Sequence, residues 1–141
     1  MATPEGKAKQ NVRLRAAQWG ARLYTNNTGV AYDPSGRPVF FGLGNEGKKD
    51  SDSIRTPDDV GFTVITVTPE MVGKKVAVFT AIDAKKLGFV VKPNYAAGTR
   101  EYGQQKFFDI VKMHNGIAGF ASCSADVDAI YNEFIQKVTS K

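Results

Sequence analysis

Asp83, Ala84 and Lys85 close an otherwise apolar run, KVAVFTAIDAK, over 75–85. Read as a buried strand, the run alternates its side chains between two faces. Val76, Val78, Thr80, Ile82 and Ala84 point one way, and Ala77, Phe79, Ala81, Asp83 and Lys85 the other. An acid and a lysine then share a face, with Cα atoms roughly 7 Å apart. Charged groups at the end of an apolar strand are costly unless other charges compensate them, and a divalent cation with a phosphate would do so. The plainer reading is the polar edge at which a strand surfaces, and the tripeptide alone does not separate the two.

The elements that must position such a pair follow from the rest of the chain. Its 141 residues predict one domain over 1–141 with a real core. Hydrophobic content of 42% and charged content of 23% are ordinary for a globular chain. No apolar run approaches the roughly 20 residues of a membrane span. The N-terminus is Lys-rich rather than an apolar signal segment, so a cytoplasmic protein is expected. Cys123 is the single cysteine and His114 the single histidine. Disulfides and Cys/His zinc sites are thereby excluded. A Ser/His/Asp or Cys/His nucleophile arrangement would have to use His114, and its context, KMHNG, reads as a solvated helix end. The net charge of +5 suits a polyanionic partner. Carboxylates in such a protein repel the ligand unless a cation lies between them.

In chain order, Thr3-Pro4-Glu5 predicts a helix start, with Thr3 as N-cap and Pro4 at the first helical position. Glu5, Ala8, Val12, Ala16, Trp19 and Leu23 recur at spacings of three and four and predict one face turned to the core. Glu5 heads that face, although an acid in a first turn is also favoured by the helix dipole. Gly20 ends or loosens the helix. RLYTNNTGVA over 22–31 predicts a strand that runs into turn residues, and Asp33-Pro34-Ser35-Gly36 a tight turn. PVFFGL over 38–43 predicts the returning strand, and FTVITV over 62–67 another. Between them, GLGNEGKKDSDS over 42–53 is polar and glycine-rich. Thr68-Pro69-Glu70-Met71 predicts a short helical turn.

After Lys85, an irregular stretch over 86–103 is long for a connection inside a small domain, which favours a functional segment. A helix is expected over 104–114, with Phe107, Phe108 and Val111 inward and Asn115-Gly116 closing it. IAGFA over 117–121 predicts a short buried strand. Ser124 is expected to cap a last helix whose core face is Val127, Ile130, Tyr131, Phe134, Ile135 and Val138. The order is helix, three or four strands, helix, strand, helix.

An opening helix with Glu5, Asn26-Asn27-Thr28-Gly29 in the next strand, Ser51-Asp52-Ser53-Ile54, the run from Val76 to Lys85, Gln104-x-x-Phe107 and Gly116-Ile117-Ala118-Gly119 together resemble a VRR-NUC domain. That family lies within the PD-(D/E)xK nuclease superfamily, and the match is to its small stand-alone phage and bacterial members, from Glu5 to about Tyr131. The resemblance implies an α/β fold of restriction-endonuclease type, a central mixed sheet flanked by helices in the order αβββαβα. It implies that Asp52 and Asp83 are metal-binding carboxylates and that Ala84 lends its carbonyl. Glu5 would be a direct or water-mediated metal partner. Lys85 would contact the attacking water and the scissile phosphate, and Gln104 would orient the phosphate or the lysine. Asp83 stands where the family usually has glutamate, and the segment between Lys85 and Gln104 is longer than its pattern. Gln104 is preferred to Gln105 for its distance to Phe107, Val111 and Gly116, and Asp52 to Asp50 for its Ser-Asp-Ser-Ile context.

The implied reaction is Mg²⁺-dependent hydrolysis of DNA phosphodiesters, with Mn²⁺ substituting and no small-molecule cofactor. Two or three carboxylates plus a carbonyl suit Mg²⁺, which keeps several waters, and a water acidified by the metal is a competent nucleophile. Backbone contacts are expected from Lys7, Lys9, Arg13, Lys48, Lys49, Lys86 and Arg100, although each also reads as ordinary solvated surface. With no recognition-helix pattern, selection by DNA shape is favoured over sequence reading. Similar stand-alone members act as homodimers on four-way (Holliday) junctions, whose two-fold symmetry suits a two-fold enzyme. A flap or single-strand nicking enzyme with the same site is the alternative, as are a restriction-type nuclease and a catalytically inactive DNA-binding module. Tyr131, Phe134 and Ile135 are candidates for a dimer surface or a core face.

Overall fold

Thr3-Pro4 starts the first helix as its chemistry requires. The Thr3 side chain accepts from Gly6 N at 3.0 Å and Pro4 occupies the first helical position, where no N–H is needed. The computed structural model describes residues 3–47 and 57–140. Their elements are α1 (Pro4–Gln18), β1 (Ala21–Thr25), β2 (Gly29–Tyr32), β3 (Pro38–Phe41), β4 (Asp59–Thr63), a 3-10 turn (Pro69–Met71), β5 (Thr80–Ala84), α2 (Arg100–Met113), β6 (Ile117–Ala121) and α3 (Ser124–Thr139). The chain is therefore of mixed α/β class. Among the described residues five short strands lie between α1 and α2, where three or four were expected. None of the described helices is long and apolar enough to cross a membrane. Contacts divide the chain into two compact units, 1–67 and 68–141.

In the first unit, β1 pairs antiparallel with β4 and β2 with β3, each as a two-stranded sheet. Gly20 ends α1 with φ +90°, so Leu23 falls in β1 and not on the helical stripe predicted for it. That stripe does not form a core face: no residue of α1 is buried, and Val12 and Trp19 are exposed. The strand expected over 62–67 lies earlier, because β1 offers partners only from Ala21↔Thr63 to Thr25↔Asp59. Beyond Thr63 the chain faces the helix end, where Val64 N donates to Gly20 O at 3.0 Å. At Gly61, an added Cβ would lie 1.8 Å from the Arg22 carbonyl oxygen, so only glycine permits this approach of β4 to β1.

The β2–β3 turn is held by Asp33, whose Oδ1 accepts from Ser35 N and Arg37 N, both at 2.9 Å. Ser35 and Arg37 hold its carboxyl below the usual carboxylate range. Behind the hairpin, the buried Asn45 amide donates to Gly29 O at 2.8 Å and Phe41 O at 2.9 Å, joining its two strands.

In the second unit, β5 runs parallel to β6, in register from Thr80↔Ile117 to Ala84↔Ala121. The strand predicted over 75–85 is thus shortened at its start. Upstream of Ile117 the partner chain turns through Asn115 (φ 59°) and Gly116 into α2, leaving 75–79 little to pair with beyond Ile117 N donating to Phe79 O at 2.9 Å. β6 is the buried centre: Ile117, Ala118, Phe120 and Ala121 are all in the core. α2 covers it with Phe108 and Val111, the latter only 1% exposed. This helix begins four residues before the predicted Gln104, because the Thr99 side chain accepts from Tyr102 N at 3.2 Å. One such cap contributes about 1 kcal/mol and offsets a comparable penalty for Gly103 inside the first turns.

α3 packs through Val127, Ile130 and Phe134 against Ile117 and Ala121. Its apolar stripe is narrower than predicted: Tyr131, Ile135 and Val138 are exposed. Tyr131 and Ile135 each lie about 100° round the helix from Ile130 and Phe134, and Val138 falls in the last turn, beyond Phe134. Ser124 is the first helical residue rather than the cap, which falls at Cys123. The capping bond comes instead from Asp126, whose Oδ2 accepts from Ser122 N at 2.9 Å and Ser122 Oγ at 3.1 Å. These bonds, with Ser122 N–H foremost, hold the Asp126 carboxyl below its usual range. α2 and α3 are tied by Lys112 Nζ to Glu133 Oε1 at 3.4 Å and by a hydrogen bond from Lys137 Nζ to the Lys112 carbonyl.

Candidate active site

Asp83 is the penultimate residue of β5, and Lys85 follows the strand directly. Lys85 N still donates to Ala121 O at 2.8 Å, which keeps the backbone extended past the strand end. The two-residue period holds, so both side chains leave the same face. Their contact is direct: Lys85 Nζ lies 3.0 Å from Asp83 Oδ2. Gln104, on the second turn of α2, closes the set. Its Nε2 donates to Asp83 Oδ1 at 2.8 Å and its Oε1 accepts from Lys85 Nζ at 3.0 Å. Acid, lysine and amide form a closed triangle in which each touches the other two.

Burial gives this triangle weight. The Lys85 side chain is 13% exposed, and its ammonium lies 5.2 Å from the Phe120 ring centroid and 5.7 Å from that of Phe89. Aromatic faces favour a cation held over them. Tyr95 and Phe108 also rest edge-on against Phe120, at 5.4 and 4.9 Å. The charged end of Lys85 therefore projects from an aromatic floor onto two acceptors of fixed orientation. Gln105 turns away, its Nε2 donating to Pro93 O at 2.8 Å.

A fourth member lies outside the residues that the sequence predicts for the site. Glu101, in the first turn of α2, brings Oε1 to 3.5 Å from Lys85 Nζ. It precedes Gln104 by three residues, the spacing that puts two side chains on one helical face. That spacing was visible in the sequence, but a helix expected to begin at Gln104 left Glu101 outside it.

Of the other residues expected at the site, Asp52 lies outside the described residues, as do Asp50, Lys48 and Lys49. Glu5 belongs to the first unit and is exposed, 3.5 Å from Lys9 Nζ on the next turn. Lys9 also lies 3.4 Å from Asp58 Oδ2, and its amine is held above 10.5, first by the hydrogen bond to Asp58 and then by that carboxylate's charge. Arg13 Nε donates to Asp59 Oδ1 at 3.0 Å, and its guanidinium also reaches Thr25 Oγ1 at 2.6 Å. Lys9, Arg13, Asp58 and Asp59 line a polar cleft of about 470 Å³ between α1, β1 and the start of β4, with Gln10, Asn26 and Asn27. Lys7, Lys86 and Arg100 are exposed.

Among the described residues no group of three or more His, Cys, Asp or Glu side chains is arranged to hold a metal ion. In the second unit the oxygen donors of the expected set are the Asp83 carboxylate and the Ala84 carbonyl. Both are hard oxygen ligands on consecutive residues, which fits Mg²⁺ or Mn²⁺ in chemistry.

No protein-family model matches the chain, and neither does any curated protein or solved structure.

Proposed function

We propose that the chain is a metal-dependent, structure-selective DNA endonuclease of the VRR-NUC type, built on a PD-(D/E)xK core and cutting four-way junctions as a homodimer. The observation that carries this reading is the closed triangle of Asp83, Lys85 and Gln104. An acid-x-lysine at a strand end, cross-linked by an amide from a facing helix, is an economical way to fix a carboxylate and an ammonium beside one phosphate.

Asp83 and the Ala84 carbonyl would hold Mg²⁺ or Mn²⁺. Bound there, the cation supplies a Lewis acid that neutralises phosphate charge and acidifies water. Lys85 donates to a non-bridging phosphate oxygen and stabilises the charge that builds there in the transition state. Gln104 fixes the direction in which that ammonium points and holds the second Asp83 oxygen in place. The aromatic floor of Phe89 and Phe120 excludes water beneath the ammonium and strengthens its interactions. The net charge of +5, with exposed Lys7, Lys86 and Arg100, favours a polyanionic substrate. Exposed Tyr131 and Ile135 on α3 are available to a second copy, whereas Phe134 serves the core of its own chain.

A labelled four-way junction, a flap and a plain duplex, each incubated with Mg²⁺, test the assignment. Symmetric cutting of the junction in preference to the others is expected. Cleavage of plain duplex at one sequence would replace it by a restriction-type activity, and binding without cleavage by an inactive DNA-binding module.

A further inference from the structure

The Lys85 ammonium donates to Gln104 Oε1 at 3.0 Å and forms an ion pair with Asp83 Oδ2, also at 3.0 Å. Glu101 Oε1 is the next acceptor, at 3.5 Å, and the longest of the three contacts. One cation thus lies between two carboxylates, leaving the cluster with a local charge of about −1. That arrangement repels an incoming phosphodiester.

The three acceptors differ in how easily each is released. Asp83 and Gln104 hold each other through the 2.8 Å hydrogen bond as well as holding Lys85. Glu101 is 32% exposed, at the solvent end of α2, and can turn to water at small cost. Building on the nuclease reading, we infer that Glu101 is a positioning residue for Lys85. Its carboxylate oxygen occupies the place that a phosphate oxygen takes, orienting the ammonium in the free protein and yielding it to the substrate. The ligand recognised there is a phosphate monoanion or diester, and Glu101 tunes its affinity by competing for the same ammonium.

The full chain carrying Glu101→Gln or Glu101→Asp tests this. Gln keeps an acceptor oxygen but removes the competing charge, whereas Asp keeps the charge in the first turn of α2 and shortens the reach to Lys85. Binding of an uncleaved branched DNA in Ca²⁺ should tighten about two- to fivefold in both variants, the range of a lost part-exposed charge contact. In a Lys85→Met background Glu101→Gln should change nothing. Wild-type affinity in Glu101→Gln would overturn the inference. So would tightening that persists without Lys85, or tightening in Gln with none in Asp, each of which marks a general charge effect. The ¹⁵N signal of the Lys85 ammonium, followed while inorganic phosphate is added, reads the same competition without catalysis. It should saturate at lower phosphate in Glu101→Gln, and equal saturation would overturn the inference. A protein that cuts no DNA while this titration behaves as expected would retire the nuclease reading and leave the role of Glu101 standing.

Discussion

Gln104 Nε2 donates a hydrogen bond to Asp83 Oδ1 at 2.8 Å, joining residues 21 apart in sequence. The same amide accepts from Lys85, so one side chain on α2 sets the geometry of both charged groups on the β5 end. Neither charge alone would hold this arrangement, because a lysine on a four-carbon stem otherwise samples many rotamers.

Gln104→Leu keeps the bulk of the side chain and removes both hydrogen bonds. Cleavage should fall by about 10- to 100-fold, the usual effect of losing the group that orients a ligand or catalytic side chain. The loss should be in kcat, with DNA affinity in Ca²⁺ nearly unchanged. A larger change in KM than in kcat would mean that Gln104 binds substrate directly.

Gly116 sits where α2 turns into β6. An added Cβ would meet Val111 Cγ1 at 2.4 Å, Val111 O at 3.0 Å and Phe79 O at 3.1 Å. Two of these three are backbone oxygens and cannot swing aside. Gly116→Ala should therefore destabilise the second unit by about 1–3 kcal/mol, the usual range for overpacking. Because β6 sets the register of β5, activity should fall with stability. Urea unfolding checks this, and an unchanged midpoint would show that the turn relaxes freely.

Stability should also depend on acid through Asp126. Its folded-state pKa lies below the usual 3.8, chiefly because Ser122 N–H donates to the carboxylate. A depressed carboxyl pKa contributes stability that is fully present above the unfolded value and lost as pH falls through the folded one. Thermal unfolding followed downward from about pH 5 should show Asp126→Asn converging on wild type as the bond protonates away. A stability difference that stayed constant through the acid range would assign the effect of the substitution to packing.

Much of this structure was legible in the residues. The start of α1 at Thr3-Pro4, the Asp33–Gly36 turn, the β6 strand and the shared face of Asp83 and Lys85 all follow from local rules, each depending on residues within a few positions of one another. Where the reading missed, long-range pairing decided. β5 begins at Thr80 and β4 ends at Thr63 because their partner strands are only five residues long. No local signal in KVAVFTAIDAK or FTVITV carries the length of a partner elsewhere in the chain. Glu101 lies outside the helix predicted from Gln104 for a capping reason: Thr99 starts α2 one turn early, despite Gly103. The stripe predicted for α3 is too wide, since periodicity marks apolar positions without saying which of them meet a neighbour.

Asp83 bears the central claim most directly. Wild type and Asp83→Ala should be compared on a labelled four-way junction in Mg²⁺ and again after addition of EDTA, with binding in Ca²⁺ and circular dichroism as controls for fold. Wild type is expected to cut only with the metal. Asp83→Ala, folded and still binding DNA, is expected to lose about 100-fold or more of that rate. Full cleavage by a correctly folded Asp83→Ala protein would contradict the account.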